Sequence, residues 1–303
     1  MRFTVNRFSA HAGRWAGIFL IASFLLLSAC SPRQAIMRGV ADELASQGQA
    51  EEEDLELARE AGAFYLKLSE SFLRQTPDHL ALAEAVTSGF TQYAYAFVAG
   101  PADRIEAADA KAAQKLRERA ARLYLRAQRH ALAALETATP GFTAKLGEAS
   151  ADKWPVLTDA QVGVAYWGAA AWGGYISLSK DNPDVVADLP LAIRLARLAW
   201  ARQPDYGDGA LASLMGSFEV ARPGGSRQRA IEYFDQGIAA SHGKSAGAYL
   251  AKAEGIALPA GDRESFERLL RQAIVAAGSS RDLRNAVMRE RAQWLLDNAP
   301  DLF

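Results

Sequence analysis

Cysteine is nearly absent from this sequence: Cys30 is the only one in 303 residues. An intrachain disulfide framework and a CxxC-type zinc site are thereby excluded, so stability has to come from packing. Histidine is scarce too. His11, His79, His130 and His242 stand singly, with no HExxH pattern to hold a metal. No GxSxG elbow marks a serine hydrolase. Gly243-Lys244-Ser245 ends like a phosphate-binding loop, but Ile238 stands where that motif wants a glycine, and helix precedes it rather than strand. Neither charge dominates, with 34 basic and 35 acidic residues. That balance offers no electrostatic footprint for nucleic acid. Alternating β-branched runs are missing as well, so no sheet is expected. These absences predict no catalytic residues, no metal and no cofactor.

Acidic residues are missing from the first 29 positions, where Arg2, Arg7 and Arg14 precede the uncharged run Ile18 to Leu27. A basic stretch, a short apolar stretch and small residues form the grammar of a secretory signal. The run closes on Leu27-Ser28-Ala29-Cys30, which resembles the lipobox of bacterial lipoproteins. By that resemblance residues 1–29 are a leader and Cys30 is the acylated first residue of the mature chain. An uncleaved anchor at 16–29 and an inert thiol are the competing readings. Two or three acyl chains at about 0.8 kcal/mol per buried methylene would hold the protein at a membrane. Ser31, rather than aspartate, follows the cysteine, as in lipoproteins passed to the outer membrane. Without the leader the balance is 31 basic to 35 acidic residues, or −4.

After residue 50 nearly everything reads at helical period. Leu55, Ala58, Gly62, Tyr65, Leu66 and Ser69 fall three or four apart, with Glu56, Arg59, Glu60, Lys67 and Glu70 opposite. The spacing predicts helices near 52–75, 78–98, 104–137, 158–179, 184–202, 207–221, 226–240, 245–257, 262–277 and 281–298. Thr76-Pro77, Asn182-Pro183 and the pair Thr158 and Gln161 supply start signals. Short turns between the helices imply antiparallel neighbours. Residues 139–157 are the one long irregular stretch, either functional or a cover over the core. Residues 30–50 read as a tether with room for a short helix. Ala192, Ala196, Ala199 and Pro204 fit the second helix of a tetratricopeptide-like pair, and Ala230, Phe234 and Gly237 repeat the spacing. Tyr65, Ser69, Phe72 and Pro77 follow it more loosely. The expected fold is all-α: antiparallel helical-repeat pairs stacked into one domain over 51–303.

Charge is also missing from two whole helices, Ala85 to Ala102 and Ala160 to Ser179. The first carries Phe90, Tyr93, Tyr95 and Phe97, and the second Tyr166, Trp167, Trp172 and Tyr175. A helix without a polar face is buried or faces something other than water. Three readings stay open: central bundle helices whose glycines allow close approach, an aromatic ligand cleft, and, for 160–179, a membrane span. The eight aromatics are the candidate ligand-binding residues. Lys111 to Arg119, dense in charge, reads as a solvated helix face with local ion pairs. His79, after Thr76-Pro77-Asp78, reads as solvated surface.

Several stretches taken in order resemble one family. These are Ala63 to Ser71, Thr76-Pro77-Asp78-His79, Ser88 to Phe97, Tyr166 to Trp172, Ser177 to Lys180, Ala221 to Gly225 and Trp294-Leu295-Leu296. Together they are similar to the T-component (TatT-type) lipoproteins of TRAP transporters. The resemblance implies a periplasmic helical protein with tetratricopeptide-like repeats that is not an enzyme. It implies a small ligand, apolar or carboxylated, a TRAP solute-binding protein as partner, and a homotrimer. It places the chain in the bacterial envelope, on the periplasmic face of the outer membrane through acylated Cys30. A scaffold lipoprotein for outer-membrane or cell-wall assembly is the alternative.

Overall fold

Side-chain caps set where most helices begin. Asp54 accepts the backbone N–H groups of Glu56 and Leu57, and Asp109, Ser226 and Asp262 accept those of Ala112, Arg229 and Ser265. Each satisfies donors that a first helical turn leaves unpaired. At the start of the second charge-free helix, the Gln161 side chain reaches back to the Thr158 N–H at 2.8 Å, as the capping box requires.

The computed structural model describes residues 32–47, 52, 54–279 and 282–303. The expected leader and Cys30 lie outside the described residues. The helices are α1 Pro32–Gln47, α2 Leu55–Leu73, α3 Leu80–Ala94, α4 Gly100–Ile105, α5 Ala110–Ala138, α6 Phe142–Gly147, α7 Asp159–Ser177, α8 Pro183–Val186 and α9 Leu189–Arg202. They continue as α10 Ala210–Ala221, α11 Arg227–Ala240, α12 Ala246–Lys252, α13 Arg263–Ala277, α14 Leu283–Asp297 and α15 Ala299–Leu302. Among the described residues there is no strand, and the fold is an all-α helical-repeat array.

Small residues let α7 sit at the centre, packed on α3, α5 and α9. A Cβ at Gly168 would lie 2.6 Å from the Ala131 side chain, so the α5–α7 contact depends on that glycine. Ala192, Ala196 and Ala199 of α9 are all fully buried, as the repeat spacing predicts. This larger core runs from Ala41 to Phe218. A second core joins α12, α13 and α14 through Leu250, Phe266, Leu270 and Leu295. Between them, α10 and α11 close on each other where Gly216 faces the Phe234 ring.

Three local features differ from the sequence expectation, and a fourth decides between two open readings. Residues Pro32–Gln47, read within the tether, form a helix that buries Ala41 and Leu44 in the larger core. His79, read as solvated surface, caps α3 instead: its Nδ1 accepts the Leu82 N–H at 3.1 Å while Nε2 meets Asp42 of α1 at 3.0 Å. The helix expected to end at 98 runs on through a π-helical turn, Tyr95–Ala99, into α4. Pro101 offers no N–H and crowds the carbonyl four residues back, so the chain shifts to a wider register in which the Gly100 N–H bonds Tyr95 O. The same device recurs at Ala253–Ala257, two residues before Pro259, with the Leu258 N–H on Ala253 O. Finally, residues 139–157 are a cover: Phe142, Leu146 and Leu157 are buried. Arg194 ties the cover down by donating to the Leu146 and Glu148 carbonyls and stacking over Trp154, 4.4 Å from the ring centroid.

Candidate functional site

The charge-free helices α3 and α7 divide their aromatics between different surroundings. Phe90 and Trp172 are buried in the larger core. Phe90 stacks on His130, with the Arg126 guanidinium over its ring at 5.0 Å. Tyr93 and Phe97 meet edge to face at 5.3 Å, and Tyr93 lies against Gly62 of α2. Tyr175 is half-buried near the end of α7. Tyr95, Tyr166 and Trp167 have a different setting, on an inner face opposite α14.

Helical spacing lays out that face. Glu84 and Tyr95 are 11 residues apart on one continuous helix, three turns and about 16 Å along the same side. Opposite, Arg284 and Arg291 share one side of α14, two turns and about 10 Å apart. At one end the Tyr166 ring lies 4.9 Å from Trp167 and 5.1 Å from Tyr206. The Tyr206 hydroxyl donates to Glu84 Oε1 at 2.5 Å. Burial raises the Tyr166 phenol, and the charge of Arg284 opposes the rise. Burial also raises Tyr206, and the Glu84 carboxylate reinforces it.

At the other end Arg291 meets carboxylates from two elements. It donates to Asp103 at 2.7 Å and to Glu254 at 2.8 Å, and it lies 5.0 Å from the Trp294 centroid. Arg117 holds Asp103 from behind at 3.1 Å. Tyr95 opens the first π turn and Glu254 lies in the second, so both irregular turns border this cluster. Burial drives the Tyr95 phenol upward, with Glu254 adding to the rise and Arg291 opposing it. Burial also raises Tyr124, whose ring covers Gly174 of α7. The hydroxyls of Tyr95, Tyr124 and Tyr166 find no hydrogen-bond partner among the described residues, yet they are not sealed from access. Polar tips on aromatic side chains ordinarily find a partner in the protein, in water or in a ligand.

Glu84, Tyr124, Tyr206 and Arg291 were not among the residues the sequence suggested. Glu84 stands immediately before the uncharged run, and Tyr206 lies in what reads as a turn. The α5 segment also differs from expectation. Arg117 turns inward to Asp103 and Glu106, while Lys111, Lys115 and Arg119 make no ion pair among the described residues. A shallow cavity of about 360 Å³ lies elsewhere, between α1 and the start of α3. Its Arg38–Asp78 and His79–Asp42 pairs satisfy one another, so the charge-free helices offer the stronger site. Among the described residues no group of three acidic, histidine or cysteine side chains is placed to hold a metal. None of the helices there is long and apolar enough to cross a membrane, and α7 packs inside the core.

Fold and inner face together define an all-α helical-repeat protein with an aromatic, charge-flanked interior. The chain belongs to the TRAP transporter T-component family, whose model matches residues 51–303. That is a family of transport accessories rather than of enzymes. The chain is also similar to an uncharacterized protein of Treponema pallidum (strain Nichols). The two are 28% identical over 314 aligned residues, which cover 94% of this chain and 96% of that protein.

Proposed function

We propose that this T-component is a ligand-handling lipoprotein, acylated at Cys30 and held at the periplasmic face of the outer membrane. It takes a small, largely apolar solute on the inner face and works beside the TRAP solute-binding protein, as a homotrimer. The observation that carries this reading is the pair of phenols on the charge-free helices, Tyr95 and Tyr166, with Tyr124 of α5 against α7, whose hydroxyls have no partner among the described residues. Ligand sites are mostly apolar with a few polar groups that fix orientation, and this face has that composition.

Native mass spectrometry of the protein purified from its own cells tests the reading, and a retained small molecule is the expected result. Tyr166→Ala should lower its occupancy at least about tenfold while costing little stability, because the ring is only half-buried. Phe90→Ala should do the reverse, costing about 3–5 kcal/mol of stability, because that ring fills the core. Crosslinking in intact cells should recover a solute-binding protein. An always-empty protein that captures barrel-assembly or cell-wall proteins instead would favour the scaffold alternative.

A further inference from the structure

Glu84 is an unusual carboxylate. It is the last charged residue before the uncharged run Ala85 to Ala102, and it projects between α3 and α7 rather than into open solvent. A Cβ built on Gly163 would fall 2.0 Å from Glu84 Oε2, so the carboxylate lies in the space that a side chain at 163 would take. One oxygen accepts from Tyr206 at 2.5 Å. The other, Oε2, has no donor among the described residues and is not sealed from access. No lysine, arginine or histidine pairs with Glu84 there. Arg284, the cation whose charge reaches Tyr166, is exposed and makes no ion pair with it.

Aromatic rings cluster around the Tyr206 that bonds this carboxylate, and Tyr166 and Trp167 lie one turn on from Gly163. Tyr206 is held by Glu84 itself, Tyr166 lies 5.1 Å from Tyr206 at a 50° tilt, and Trp167 lies 4.9 Å from Tyr166 at 66°. All three rings are half-buried. Ring faces carry negative electrostatic potential, and a carboxylate beside them in a partly dry setting adds a full charge of the same sign. An anionic ligand group would be repelled at this point. A neutral group would find apolar contact only, whereas an ammonium group would complete both the rings and the carboxylate.

We propose that the Glu84 end of the inner face, formed by Glu84, Tyr166, Trp167 and Tyr206, binds the ammonium group of an organic cation. The proposal rests on the ligand-handling reading above and narrows it to one ligand chemistry at one end of the face. Gly163 makes the room, Glu84 supplies the countercharge, Tyr206 fixes the carboxylate, and the rings set the size of the cationic group.

The test uses the full chain with three probes of one shape: choline, the neutral isostere 3,3-dimethylbutan-1-ol, and the anion 3,3-dimethylbutanoate. Isothermal titration gives the affinities, and tryptophan fluorescence reports contact near Trp167. Choline should bind at least about tenfold tighter than the alcohol, and the anion weakest. Glu84→Gln should weaken choline about tenfold and leave the alcohol unchanged. Tyr206→Phe keeps the charge and the ring but removes the bond that fixes the carboxylate, and should weaken choline less than Glu84→Gln does while leaving the alcohol unchanged. Circular dichroism and thermal melts on each variant separate lost binding from lost folding. Equal binding of choline and the alcohol, or a Glu84→Gln protein that still prefers choline, overturns the cation inference but leaves the ligand-handling reading standing. If none of the probes binds and the cell-purified protein is always empty, both fall.

Discussion

Glu70 lies 3% exposed between α2 and α5, with more cations around it than its single charge can match. Burial alone would raise its carboxyl. Hydrogen bonds from Arg126, Lys67 and His130 outweigh that and hold it down to about 2. A depressed carboxyl contributes stability that is fully present above its unfolded value of 4.5 and is lost as pH falls through about 2. His130 adds a second, milder dependence: burial lowers its pKa despite the Glu70 bond, so the folded protein resists protonating it. Stability should therefore begin to decline as pH drops below about 6.5. Glu70→Gln should cost about 2–3 kcal/mol at neutral pH, discounted because Lys67, Arg74 and Arg126 are partly solvated. Urea titrations across pH 2–7 should show the gap between wild type and variant closing between 4.5 and 2. A gap that stays constant over that range would show that Glu70 contributes shape rather than charge.

Single helices were largely legible because their signals are local. The Thr158–Gln161 box, the Asn182–Pro183 start and the buried alanines of α9 all follow from residues a few positions apart. The two π turns were not legible, since Pro101 and Pro259 announce a break and only packing decides that each chain absorbs it and continues. The docking of α1 was also hidden: its stripe of Val40, Ala41 and Leu44 is short, and its partners lie on α2 and α3. Of the site, the aromatic composition was readable, but not which rings share a face. That depends on Glu84 meeting Tyr206, 122 residues away. The cover over residues 139–157 gives a test at this scale, because one side chain from α9 holds it. Arg194→Met keeps the apolar stem and removes the donors to Leu146 and Glu148. It should cost about 1–2 kcal/mol. Hydrogen exchange should speed up across residues 142–153 and little elsewhere. Uniform exchange over the whole chain would mean that Phe142 and Leu146 anchor the cover without help.

Among the described residues the two cores are joined in two ways: by packing, through α10, α11 and the contact of α14 with α2, and by charge at Arg291. The second joint spans 188 residues between Arg291 and Asp103 and 37 between Arg291 and Glu254. Arg104 and Glu290 lie beside it at 2.5 Å. Arg291 is only 19% exposed, so its removal would leave Glu254 without its cation and Asp103 with Arg117 alone. Breaking such a partly buried group costs about 1–3 kcal/mol, more than a surface ion pair supplies and less than a fully buried one. The cost should fall on the docking of the second core rather than on either core's own packing. Arg291→Met should therefore turn a single thermal transition into two, with the segment carrying α12 to α14 melting first. Adding Asp103→Asn should recover part of the loss, because one of the two carboxylates is then removed; a coupling of about 1–3 kcal/mol is expected in the double-mutant cycle. Because Tyr95 lies at this joint, loosening it should also open the inner face and speed exchange of whatever ligand the protein carries. If the variant still melts in one transition with additive single-site losses, the two cores are held together by packing through α10, α11 and the α2–α14 contact, and the charge cluster is free to serve the ligand face instead.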